Sequence, residues 1–188
     1  MLSRNLKILF PVFVLLSLIV SSCNKDNIET DDPNIIYNAT PKTVSIVPSF
    51  ATFDSLDVNG DGLAEIGIAM TNQGADTGTV LFTSFSQPAG FAIEEITPAP
   101  ISKSFAKGDS GPVSASVYMT SSYLTFKMSG FRKGLMSGEA YVAFRFTTGA
   151  LYNYGWMRVG LNSALTEFTI YEYAYNAIPG TGIKIGAK

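Results

Sequence analysis

Asp57-Val58-Asn59-Gly60-Asp61-Gly62-Leu63-Ala64-Glu65 carries hard oxygen side chains at its first, third, fifth and ninth positions. Oxygen donors at alternating positions of a tight loop can converge on one cation, and Ca2+ takes about six to eight of them. Gly62 stands sixth, where such a loop turns sharply and usually needs a positive φ. The Leu63 carbonyl supplies one more oxygen, and Asp54 just upstream can complete the shell. Ile68 occupies the twelfth position in place of a bidentate Glu, and no helical pattern flanks the loop, so an EF-hand is excluded. The expected metal ligands are therefore Asp57, Asn59, Asp61, Leu63 and Glu65, with Asp54 added, around a structural Ca2+. The alternative is a plain hairpin turn, since Asn-Gly and Asp-Gly are favoured turn pairs without any metal. Three acids and an Asn at alternating positions exceed what a turn needs.

A second group of chemistry-bearing residues lies near the C-terminus. Period-two alternation along Tyr152 to Val159 puts Trp156 and Arg158 on one face, with Met157, Val159 and Leu161 on the other. The same rule along Phe168 to Asn176 groups Tyr171, Tyr173 and Tyr175, and sets Phe168, Ile170, Glu172 and Ala174 opposite. A carboxylate on an apolar face needs a partner, and Arg158 and Arg145 are the candidates for Glu172. Two readings follow. Trp156, Tyr171 and Tyr173 form a platform for a sugar or peptide, or an Arg158–Glu172 ion pair lies beneath packed aromatics as a structural element. The second is preferred, because buried pairs of this kind are commonly structural.

Catalysis finds less support. The chain has no His and one Cys, which excludes Ser-His-Asp and Cys-His nucleophile pairs, imidazole metal sites and an internal disulfide. Two carboxylates suffice for glycoside hydrolysis, and Glu139, Glu167, Glu172, Glu94 and Glu95 are available. Glu94 and Glu95 are adjacent, so an extended strand points them to opposite faces. Ser116, Ser121 and Ser122 have no visible base, and no catalytic residue is assigned. The competing enzyme reading is a carbohydrate-active β-sandwich using a Glu pair. With 13 Lys and Arg against 15 Asp and Glu, the net charge of −2 argues against a nucleic-acid partner.

The first 22 residues read as a signal peptide: Arg4 and Lys7, then the short apolar run Ile8 to Val20, then Ser21 and Ser22. That run is too short to cross a bilayer, which takes about 20 apolar residues. Val20-Ser21-Ser22-Cys23 resembles a bacterial lipobox, which implies that Cys23 is lipidated and becomes the new N-terminus. Cleavage removes Arg4 and Lys7 and moves the net charge from −2 to −4. Acyl chains contribute about 0.8 kcal/mol per buried methylene, so two or three of them give a lasting membrane anchor. Residues 23–42 then form a polar, acidic tether. Within it Lys25-Asp26 resembles the export signal of surface lipoproteins in the Bacteroidota. The implied location is the outer membrane at the cell surface, with a periplasm-facing anchor as the alternative.

From Thr43 onward the elements that must position these side chains are strands. Thr43–Val47, Glu65–Thr71, Thr79–Ser86, Val113–Thr120, Tyr123–Met128, Glu139–Thr147, Tyr154–Leu161 and Leu165–Tyr175 alternate or run apolar between Gly, Pro, Asn and Ser clusters. No window shows helical spacing, and 17 Gly and nine Pro would interrupt one. Gln87 to Gly111 reads as long loops around a short strand at Phe91-Ala92-Ile93, and long loops on a rigid body suit a binding surface. Residues 43–188 are thus expected to form a single all-β domain, a β-sandwich or jelly roll of roughly eight to ten antiparallel strands.

Tyr154-Gly155-Trp156-Met157-Arg158, then Tyr173-Ala174-Tyr175-Asn176, then a terminal Gly182-Ile183-Lys184-Ile185-Gly186 resemble a group of exported bacterial β proteins. These share a "YGW-x-R" strand, a "YAY" strand, a terminal "P-I-x-A-G" element and often a "D-x-N-x-D-G" loop, here Asp57 to Gly62. Here Met157 replaces the commoner branched residue, and the terminal element is matched only approximately. The metal motif likewise resembles the short D-x-N-x-D-G-x-x-[DE] loops of extracellular β proteins, whose last acid opens the next strand. The resemblance implies fold and export and no particular reaction. The expectation is a lipid-anchored envelope module that binds a glycan or protein or serves structurally.

Overall fold

The phase of apolar alternation decides which face each strand buries, and here it builds a body made of strands alone. The computed structural model describes residues 32–47, 50–74, 77–85, 88–95, 99–109, 117–128 and 130–188. Among these residues there is no helix, and hence none long and apolar enough to cross a membrane. Residues 1–22, read above as a signal peptide, and with them Cys23 and Ser116, lie outside the described residues.

The first strands are β1 (Ile35–Asn38), β2 (Lys42–Ser45), β3 (Phe50–Leu56), β4 (Ile66–Asn72) and β5 (Thr77–Ser84). Then come β6 (Ala89–Glu95), β7 (Ile101–Ser102), β8 (Ser104–Phe105) and β9 (Tyr118–Met119). The last are β10 (Ser121–Met128), β11 (Phe131–Gly134), β12 (Gly138–Thr147), β13 (Tyr152–Leu161) and β14 (Glu167–Asn176). They form one 14-stranded sheet in the order β1-β14-β13-β12-β6-β7-β10-β5-β4-β3, with β2, β8, β9 and β11 attached to β14, β12, β6 and β10. The pairing of β7 with β10 is parallel; the others described are antiparallel.

Strands far apart in that order meet through their side chains. Ile66, Ile68 and Met70 of β4 and Val80 and Phe82 of β5 share one core with Phe144, Phe146, Met157, Val159, Phe168 and Ile170 of β12–β14. The Phe82 ring lies 5.4 Å from Phe91 and 5.7 Å from Phe168. Each such buried side chain contributes about 1.5–3 kcal/mol through removal of apolar surface from water. Gly155 permits the close packing of β13, because a Cβ there would lie 2.4 Å from the Phe144 ring and 2.7 Å from the Ala174 carbonyl oxygen.

A second, smaller core covers the opposite face of β6, β12, β13 and β14. Ala92, Ala143 and Ala174 leave space for Trp156, and Ile183 and Ile185 of the C-terminal segment close over it. That segment is held by its backbone: Ile185 N–H donates to the Asp109 carbonyl (3.0 Å) and Gly108 N–H to the Ile185 carbonyl (2.8 Å). The Asn176 side-chain amide donates to the Gly182 carbonyl at 3.1 Å.

Several expectations change. Among the described residues the strands number 14 instead of eight to ten, the excess being short pieces such as the two-residue β7, β8 and β9. Residues 87–111, read as mostly loop, contain β6, β7 and β8. Ile35–Asn38, inside the expected tether, pairs with β14 and seats Tyr37 against Trp156. The strand expected at Leu165 begins at Glu167, and Leu165 turns at a φ of 54°.

The largest difference is in β14. Its register runs Arg158↔Glu172 and then Val159↔Ile170, so Tyr171 is an extra, unpaired residue. A bulge of this kind reverses the side on which all later residues fall. Phe168 and Ile170 therefore face the first core together with Tyr173 and Tyr175, not opposite them. Glu172 and Ala174 join Trp156 and Arg158 on the other face.

The covering of Trp156 gives a direct test. Ile185→Ala should destabilise the protein by about 2–5 kcal/mol in denaturant melts, and should shift the emission of this sole Trp to the red in the folded baseline.

Candidate functional site

The loop between β3 and β4 is built by side chains capping its own backbone. Asp57 Oδ1 accepts from Gly60 N–H at 2.7 Å and its Oδ2 from Gly62 N–H at 2.8 Å. Asn59 Oδ1 accepts from Asp61 N–H, and Asp61 Oδ1 from Leu63 N–H, each at 2.8 Å. Gly60 and Gly62 hold φ values of 77° and 89°, the left-handed conformation that the spacing requires. These bonds alone would stabilise a turn.

Glu65 is the exception. It is 0% exposed, and its Oε2 accepts from Val58 N–H at 2.7 Å. Its other oxygen, Oε1, is buried without a hydrogen-bond partner. Burial pushes the Glu65 carboxyl above its ordinary range; the Val58 N–H opposes this, and the charges of Asp57 and Asp61 add to it. One carboxylate oxygen from each of Asp57, Asp61 and Glu65 lies within 4.8 Å of the others. Two oxygens on opposite sides of a Ca2+ stand about 4.6–5.2 Å apart, so the three are close enough to share one ion. Leu63 is exposed, and Asp54 is engaged elsewhere, 3.0 Å from Lys42 Nζ.

The second charged group is a network across the outer face of β13 and β14. Arg158 Nε donates to Glu172 Oε1 at 2.8 Å, and Arg158 Nη1 to Glu139 Oε2 at 2.7 Å. Lys188 Nζ lies 3.0 Å from Glu172 Oε2 and donates to Tyr37 Oη at 2.8 Å. Tyr37 in turn donates to Glu172 Oε2. Burial by itself would push the Glu172 carboxyl up, but hydrogen bonds from Tyr37, Lys188 and Arg158 outweigh it and hold the pKa at about 2.

The partner of Glu172 is therefore Arg158, one of the two expected candidates, together with Lys188 and Tyr37, which sequence reasoning missed. No periodicity or motif joins Tyr37 and Lys188 to Glu172, since they belong to a strand inside the expected tether and to the C-terminal segment. Arg145 packs instead against Tyr118 and Tyr152.

The three aromatics expected as a platform do not share a surface. Trp156 is 0% exposed beneath Ile183 and Ile185. Tyr173 is 6% exposed in the first core and accepts a hydrogen bond from Asn38. Of the three, Tyr171 alone is partly exposed, with the Arg158 guanidinium 4.7 Å from its ring centre. Its ring lies over Gly160, where a Cβ would come within 2.6 Å. Beside it is an open cleft of about 210 Å³ lined by Glu139, Gly160, Asn162, Glu167, Thr169 and Tyr171.

Comparison with protein-family models, curated proteins and solved structures finds no match to this chain.

The Glu172 network has a defined pH dependence. Its folded pKa lies below the ordinary value of 4.5, so its stabilisation is fully present above that pH and lost as pH falls towards about 2. In acid melts between these limits the wild-type protein should lose stability more steeply than Glu172→Gln, which has no carboxyl to protonate there.

Proposed function

We propose that the chain is a lipid-anchored module of the bacterial outer membrane, displayed at the cell surface and stiffened by one Ca2+ in the Asp57–Glu65 loop. Its role is binding or structural. The body is read as a β-sandwich of jelly-roll type, supported by the core that β4 and β5 share with β12–β14. The anchor rests on the lipobox-like Val20-Ser21-Ser22-Cys23.

One observation carries the metal assignment: a fully buried Glu65 with an unpartnered oxygen, converging with Asp57 and Asp61. A turn needs no buried acid, and an unpaired buried carboxylate is costly without a compensating cation. Asp57, Asp61 and Glu65 would hold the ion, with Asn59 and the Leu63 carbonyl as the remaining protein donors. The ion's role would be to pin the loop between β3 and β4.

A carbohydrate-active enzyme is the second reading, and it draws on the cleft that Glu139 and Glu167 share. Glu139 is committed to Arg158 at 2.7 Å, and we favour a non-catalytic cleft for that reason.

Calcium at about 100 times its Kd stabilises a protein by about 2.7 kcal/mol, which raises Tm by about 5–10 °C in a chain of this size. That rise should appear on adding Ca2+, vanish with chelator, and be absent in Asp61→Ala and Glu65→Gln. Because burial raises the Glu65 carboxyl and it must ionise to bind, affinity should increase as pH rises above the ordinary carboxylate range. A wild-type Tm indifferent to both calcium and chelator would remove the ion from this reading.

The anchor is tested separately. Cys23→Ser should move the protein from the membrane fraction to the soluble fraction, and the wild-type N-terminal peptide should carry the mass of the acyl chains.

A further inference from the structure

Arg145 lies on the outer face of β12, in register with Gly90 of β6 and Tyr154 of β13. Its guanidinium carbon is 4.0 Å from the ring centre of Tyr152 and 4.5 Å from that of Tyr118. These tyrosines come from strands on opposite sides of β12, so the cation is held between them. Gly90 leaves the space, since a Cβ there would lie 3.3 Å from Arg145 Nε. Tyr154 continues the aromatic surface, 6.0 Å from Tyr118.

Arg145 differs from Arg158 in its partners. Arg158 holds two carboxylates, whereas among the described residues no carboxylate lies within ion-pairing distance of Arg145. Its Nε–H is buried and meets no acceptor. Native structures leave few buried donors unpaired, least of all on a charged group. With Nε withdrawn beside Gly90, the partly exposed guanidinium is left its two terminal Nη groups, held by aromatic stacking and pre-organised for a planar anion that two parallel N–H groups can grip.

We infer that Arg145, with Tyr118 and Tyr152, binds the carboxylate of an acidic sugar, a hexuronate unit of a glycan. One guanidinium matches the single charge of a carboxylate. The adjoining tyrosines offer amphipathic ring faces, which suit the C–H face of a pyranose and its hydroxyls. A uronate carries its carboxylate directly on the ring, so one unit satisfies both contacts. An acidic peptide brings the charge without the flat apolar face. The inference rests on the binding role proposed above and shares no residue with the calcium loop.

Calorimetric titration of the full-length protein in detergent tests it, with trigalacturonate, maltotriose and triglutamate as probes, each in calcium and in chelator. Trigalacturonate should bind, weaken with rising salt, and outcompete both other probes. Arg145→Gln should weaken it at least about tenfold with Tm little changed, and Arg145→Lys should fail to restore it, because the planar fork is lost. Tyr152→Leu keeps the apolar bulk and should weaken binding severalfold, a second measure of the site should the Arg145 variants unfold. No binding of trigalacturonate by the wild type, equal binding by Arg145→Gln, or triglutamate binding as tightly would each overturn the assignment. Binding that persists in chelator while calcium fails to shift Tm would uphold this site and reject the metal.

Discussion

A single unpaired residue, Tyr171, organises the C-terminal half of the molecule. Strict alternation along β14 would have placed Phe168 and Ile170 on the face opposite Tyr173 and Tyr175, dividing the apolar surface between two sides. The bulge brings all four to the first core and turns Glu172 to the same side as Arg158. It also leaves Tyr171 outside, over Gly160, where its ring supports the Arg158 guanidinium and walls the adjacent cleft. Core, ion pair and cleft thus share one origin. Bulges concentrate where a strand must re-aim a side chain, and this one re-aims a carboxylate towards three partners.

Among the described residues, the two buried carboxylates and the ring-packed Arg145 are each treated differently. Glu172 is met by Arg158, Lys188 and Tyr37, so its charge is favoured in spite of burial. Glu65 is buried and repelled by two neighbouring acids, and the backbone N–H groups of Val58 and of Glu65 itself do not outweigh this, so its charge is disfavoured as it stands. Arg145 is covered by tyrosine rings and has its Nε–H unmatched. The first case explains itself as structure. The other two each keep a buried polar atom without a hydrogen-bond partner, Glu65 Oε1 and Arg145 Nε, and that asymmetry sets them apart from the Glu172 network.

The strands legible in the sequence are those whose apolar residues alternate without interruption: β4, β5, β10, β12 and β13 are recovered to within a few residues. β3 is illegible because Phe50, Phe53 and Leu56 recur every third position; Phe50 and Phe53 stay exposed on this edge strand, so burial imposes no alternation there. β1 is only Ile-Ile-Tyr-Asn between polar flanks, too short to show a period by itself, and it is a strand because β14 offers it an edge. The convergence of Asp57, Asp61 and Glu65 follows from their spacing alone, whereas the loss of Asp54 to Lys42 depends on β2 and β3 lying close, which no local pattern encodes. Burial of Trp156 is hidden for the same reason. Its cover, Ile183 and Ile185, comes from a segment without regular secondary structure.

The contacts that complete Glu172 span 135 residues to Tyr37, and the Lys188–Tyr37 bond spans 151. Long-range closure of this kind carries a large loop entropy and slows folding. Its timing matters as much as its rate. Trp156 gains its cover and Glu172 its Lys188 cation only when residues 183–188 dock, so this face is completed by a segment that follows all fourteen strands in the chain.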